Sequence, residues 1–124
     1  MAPYGDLELE AGRGIAERFV EAGCPATAMI CINDMLAIGL IKTLRRHGIR
    51  VPEDVSVFGF DDIPFASTFE PSLSTVHYPA LEMGRLAALM LMDNLENSGT
   101  EQSLAMQLAP SLVIRDTVAP PAER

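Results

Sequence analysis

The chain reads as an α/β protein, a parallel sheet with flanking helices, and three observations predict it. Helix-like and strand-like segments alternate along the sequence, the order that builds right-handed crossovers. Residues 26–32 and 55–60 are short, continuous apolar runs, too brief for helices and typical of strands covered on both faces. Each run delivers a polar pair, Asn33-Asp34 and Asp61-Asp62, to its C-terminal end. In parallel sheets that end is where ligands bind.

The elements follow in order. Over residues 7–22, Leu7, Ala11, Ile15, Phe19 and Ala22 recur at spacings of four and three. Glu8, Glu10, Arg13, Glu17, Arg18 and Glu21 fill the other face, with an i,i+4 pair at Arg13 and Glu17, so the segment is an amphipathic helix. Gly23 and Pro25 end it. After the first strand, Asp34 is placed to cap a helix over 35–47. The first half of that helix, MLAIGLI, is apolar nearly all round and must be covered on every side, by the core or by a subunit interface. Lys42, Arg45, Arg46 and His47 put cations at its C-terminal end, and Gly48 stops it.

Val51-Pro52-Glu53-Asp54 is a connector to the second strand, where Gly59 marks the close approach of another backbone or a ligand. Residues 61–75 form a long irregular segment with two prolines, and 75–78 fit a short extended piece. Pro79 opens a third helix running to about Asn97 and closed by Gly99, with Leu81, Met83, Leu86, Met90 and Leu95 among its apolar positions. Residues 104–108 are ambiguous, 111–114 read as a last short strand, and the tail VAPPAER is expected to fray. Only three strands are well marked. So thin a parallel sheet needs helices on both faces and neighbours at both edges.

Composition narrows the function. At 124 residues the chain is one domain at most, yet long enough for a core. A formal charge of −8 gives no electrostatic footprint for phosphate backbones. Cys24 and Cys31 sit in apolar contexts as plain buried thiols of a reducing compartment, and with His47 and His77 they make no metal-ligand spacing. The acidic N-terminus lacks the apolar stretch of a signal peptide, and no apolar run approaches the ~18–20 residues that cross a membrane, so the expectation is a soluble, cytoplasmic protein. Gly12-Arg13-Gly14 lies within a helix with no strand before it, which is no nucleotide-binding turn. Neither histidine has a carboxylate and nucleophile at telling spacing, so no catalytic residue, cofactor or enzymatic activity is expected.

The ordered motifs PATAMICINDMLAIGLIKTLRRHGIRVPEDVSVFGFDD, the return PSLSTVHYP and the closing SLVIRDT resemble the C-terminal part of the lactose-repressor/galactose-repressor (LacI/GalR) family of bacterial transcription regulators. The likeness runs from about Gly5 to Val118. It implies one partial lobe of a periplasmic-binding-protein-like type I fold, with residues 76–100 crossing to an N-terminal lobe that this chain lacks. It implies a sensor for a small-molecule effector, often a sugar or nucleobase, in a homodimer. DNA would be met only through a helix-turn-helix domain that is not in this chain.

The resemblance also implies site residues. Asp61 matches a position that holds sugar hydroxyls, and a carboxylate there can accept two hydrogen bonds from a diol; the alternative is a turn-capping Asp. Asn33 matches a second ligand position, where its amide both donates and accepts. Tyr78 falls where the family often has Gln, and would stack on a sugar face or fill the gap. Ile38, Lys42 and Phe69 match positions near the dimer contact, with ordinary core as the alternative for Ile38. Asp62 reads as structural. The rival function is a stand-alone dimerisation module, or a truncated gene product without ligand binding.

Overall fold

The computed structural model describes residues 6–96 and 105–121. Its elements are α1 (Asp6–Glu21), β1 (Ala28–Ile30), α2 (Asp34–Arg46), β2 (Ser56–Phe60), α3 (Pro64–Thr68), β3 (Ser74–His77), α4 (Ala80–Glu96) and β4 (Ser111–Val113). The strands form one four-stranded sheet in the order β1-β2-β3-β4. β1 pairs with β2, and β2 with β3, in parallel, with Ile30 opposite Phe58 and Phe60 opposite Val76. The chain divides into two compact units, residues 1–77 with 112–124, and residues 78–111.

In the first unit, α1 and α2 cross at backbone contact. A methyl group at Gly12 would lie 2.2 Å from the Leu36 carbonyl oxygen, and one at Gly39 would lie 2.3 Å from that of Leu9. These two glycines exist to let the helices touch. Below the crossing, Ala16, Phe19, Ala37, Leu40, Ile41 and Leu44 close the core against Cys31, Val55 and Val57 of the sheet. The all-round apolar start of α2 is thus explained within one chain, because α1 covers one side and β2 the other. Arg13 makes the expected pair with Glu17 at 3.8 Å and a closer one with Glu10 at 2.7 Å.

Three sequence expectations change. β1 is not covered on both faces: Met29 and Cys31 pack inward, while Ile30 is 86% and Ile32 80% exposed. The reason is that the helical core packs on the face carrying Met29 and Cys31, while the alternate side chains point to the other face. The irregular segment 61–75 contains a one-turn helix, α3, opened by Pro64 in its first turn, where a missing N–H costs nothing. The start of the tail does not fray: the Ala119 amide donates to Ser56 Oγ at 3.0 Å, and the Val57 amide to the Thr117 carbonyl at 2.8 Å. The expected helix end at Asn97 and Gly99, and the start of the ambiguous 104–108 stretch, lie outside the described residues.

The second unit is dominated by α4. None of its residues is buried, and Leu81, Leu89, Leu91, Met92 and Leu95 all stand exposed. Met83, Leu86, Ala87 and Met90 from α4 line a cleft of about 340 Å³ with Met106 and Leu108. No described helix is long and apolar enough to cross a membrane.

Candidate functional site

Asn33 and Asp61 occupy equivalent places at the C-terminal edge of the sheet. Each lies three residues beyond a member of the Ile30–Phe58 pair, on adjacent parallel strands. Asn33 leaves β1 in an extended conformation and serves as the cap of α2, its Oδ1 accepting the Leu36 amide at 2.8 Å. The cap expected at Asp34 is therefore made by its neighbour. Asn33 is half-buried, and its amide NH2 is the group it can still turn to a ligand.

Asp34 instead points inward and is fully buried. Its Oδ1 accepts from Thr75 Oγ1 at 2.6 Å and its Oδ2 from the Ile63 amide at 2.9 Å. Burial pushes its carboxyl above the ordinary carboxylate value, aided by the charge of Asp62 and opposed by these hydrogen bonds. Gly59 makes room for it, since a Cβ there would sit 2.1 Å from Asp34 Oδ1. The close approach that the sequence signalled at Gly59 is thus the approach of this side chain. Burial and the Asp34 charge also push the Cys31 thiol up to about 11, which leaves it unreactive.

Asp61 has φ of 117° and Asp62 has φ of 55°, two consecutive residues in backbone that favours glycine. The Asp61 amide donates to the Val76 carbonyl at 3.0 Å, and its side chain is half-buried. Asp62 is held from outside the turn. Arg115 donates to its Oδ1 at 2.6 Å and to the Leu73 carbonyl at 2.7 Å, while His77 Nδ1 lies 3.1 Å from its Oδ2. The edge thus carries acceptors and an amide, chemistry suited to reading hydroxyls. Among the described residues no group of three or more His, Cys, Asp or Glu could hold a metal ion.

Tyr78 is half-buried and belongs to the second unit, where its carbonyl accepts the Ala80 amide at 2.8 Å at the start of α4. The three residues assigned to a dimer contact differ in exposure. Ile38 is 1% exposed within the core and Phe69 is buried, whereas Lys42 faces solvent. Lys42 and Phe69 nevertheless line one depression of about 450 Å³ with Arg45, Arg46 and Glu70. Phe69 also packs on Phe65, ring centroids 5.9 Å apart.

Sequence reasoning missed the roles of Asp34, Thr75, Arg115 and His77. A signal was present for Asp34. A glycine inside one buried strand and an acid at the end of the next strand over are what a buried carboxylate between strands requires.

The chain matches the family model described as "Periplasmic binding protein-like domain" over residues 4–118. It is 37% identical over 114 residues to the HTH-type transcriptional repressor PurR of Photobacterium profundum, covering 92% of this chain and 34% of that protein. It thus spans about a third of the length of the curated relatives it matches. Among solved structures, a LacI family transcriptional regulator from Enterococcus faecium with bound ribose superposes with a TM-score of 0.82 at 28% identity, over 90% of this chain and 41% of that one. A LacI family regulator from Arthrobacter sp. FB24 in complex with lactose superposes with a TM-score of 0.78 at 33% identity, over 90% and 42%. These relatives are transcriptional regulators, not enzymes.

Proposed function

We propose that this chain, which belongs to the LacI family of periplasmic-binding-protein-like transcriptional regulators, is the effector-sensing part of such a regulator and recognises a sugar or related small molecule through Asn33 and Asp61. The observation that carries the proposal is the matched placement of these two residues on adjacent strand ends. A diol could give two hydrogen bonds to the Asp61 carboxylate, while the Asn33 amide reads a third oxygen. Tyr78, at the entry to α4, would add a ring against a sugar face. Residues 76–100 would serve a second lobe, for which the exposed apolar positions of α4 speak. Such a regulator works in the cytoplasm and meets its operator through a DNA-binding domain outside this chain.

We further read the Lys42–Phe69 depression as part of a homodimer contact, with Ile38 acting beneath the surface to fix α2. The exposed cations and the rim of Phe69 support this reading.

The test is a titration of the 15N-labelled chain with D-ribose, lactose and cellobiose at millimolar concentration, with Asp61→Asn and Asn33→Ser compared to wild type. Serine keeps the cap of α2 but lacks the amide, so it separates recognition from stability. The expected result is amide shifts at residues 33 and 61 with one sugar, lost in both variants. Shifts confined to other parts of the chain would sink the assignment.

A further inference from the structure

We propose that Asp34 is a positioning residue: its buried carboxylate, lodged in the space left by Gly59, sets the direction in which Asp61 presents its side chain. This rests on the reading of Asp61 as a ligand contact, and it adds the device that aims it.

Asp61 and Asp62 hold backbone conformations that non-glycine residues rarely adopt. Such geometry is strained and persists only when its surroundings over-determine it. Several anchors surround these two residues, His77 beside the Asp62 carboxylate among them. Upstream, the Asp61 amide is tied to the Val76 carbonyl of β3 at 3.0 Å. At the second residue, the Asp62 carboxylate is held by Arg115 at 2.6 Å. Downstream, the Ile63 amide is tied to Asp34 Oδ2 at 2.9 Å.

The last anchor ends on a fully buried carboxylate. The same carboxylate reaches Thr75 Oγ1 on β3 at 2.6 Å, so one side chain at the start of α2 binds the strand on one side of the turn and the chain leaving it. Asp34 is also the next residue after Asn33. The two ligand-reading positions therefore share one rigid element, the first turn of α2. Burying a carboxylate is costly unless it is fully hydrogen-bonded, which is why a residue with no role in shape would sooner be apolar here. Gly59 fits the same logic, for any side chain would expel the carboxylate.

The measurement is made without ligand, so that it fails separately from the reading of Asp61 as a contact. Three-bond HN–Hα couplings report φ at Asp61 and Asp62, and hydrogen exchange reports the Ile63 amide, in wild type, Asp34→Asn and Asp34→Ala. In Asp34→Ala we expect the couplings to leave the positive-φ values and the Ile63 amide to exchange at least tenfold faster. The amides of Leu40, Ile41 and Leu44 in α2 should keep wild-type protection. Asp34→Asn, which retains one acceptor, should fall between. Unchanged couplings with a protected Ile63 amide in Asp34→Asn would overturn the proposal. Should Asp34→Ala fail to fold, Asp34→Asn and Thr75→Val decide it, because each weakens the hydrogen bonding of this carboxylate and leaves the cavity filled. A uniform loss of protection across α2 and the turn in all variants would also overturn it, by showing a role in global stability alone. Abolished sugar-induced shifts in Asp61→Asn, with couplings as expected here, would establish both readings.

Discussion

At the residue scale, Asp34 and Asn33 divide two tasks that their chemistry would let either perform. Both residue types cap helices well, and nothing local decides between them. The decision comes from across the sheet, where Gly59 leaves a space that only Asp34 can enter. Its pH dependence follows. Burial raises the folded-state value above the ordinary 3.8, so the native state holds the proton more tightly than the unfolded chain does. The ionised group therefore weakens the fold at neutral pH, and that penalty lifts as pH falls through the raised value. Asp54 has the opposite sense: Arg50 holds it down to about 2, so its contribution is present above the ordinary value and is lost as pH falls towards 2. As pH falls from neutral towards the ordinary carboxylate value, the urea midpoint of wild type should rise relative to Asp34→Asn. A relative fall would mean that the donors on Asp34 outweigh its burial.

At the element scale, the α1–α2 crossing sets where the first turn of α2 sits. Gly12→Ala and Gly39→Ala each push a methyl into a backbone carbonyl, and overpacking of this kind costs about 1–3 kcal/mol or more. Gly14 lies in the same helix with only the Arg18 side chain near, at 3.6 Å. Gly14→Ala should stabilise by about 0.5–1 kcal/mol, since alanine orders a helix at lower entropic cost. Chemical denaturation of the three variants checks the contrast, and equal effects would show that the crossing is looser than described. The helices and strands were legible to within about two residues at their ends, because long periodic stretches and short apolar runs mark them strongly. α3 was not, being five residues with a proline at its start and no periodicity to read.

At the scale of the whole molecule, the ordered motif set carried the family and the fold class, and the match over residues 4–118 bears that out. What it could not carry was the bare face of the sheet. A continuous apolar run such as 26–32 reads the same whether both faces or one are covered, and the cover is supplied by other parts of the fold. Ile30, at the end of β1, and Ile32, just beyond it, present exposed apolar side chains, a surface that invites association with another chain. We expect this chain to self-associate at tens of micromolar, and Ile30→Lys with Ile32→Lys to shift it towards monomer in sedimentation velocity. A wild-type monomer across that range would rule out association through this face. The candidate site was legible as two residues, Asn33 and Asp61. The network beneath them was not, because hydrogen bonds from Thr75 to Asp34, or from Arg115 to Asp62, span 41 and 53 residues and leave no local pattern.

The contact of backbone on backbone at Gly12 and Gly39 has a bearing on how such a chain can change over generations. Its tightest point is already made of the smallest residue and can only drift by being lost. The residues that face outward from the strand ends are not in that contact. Their identities can vary without disturbing it, while the helices below keep one unaltered seat.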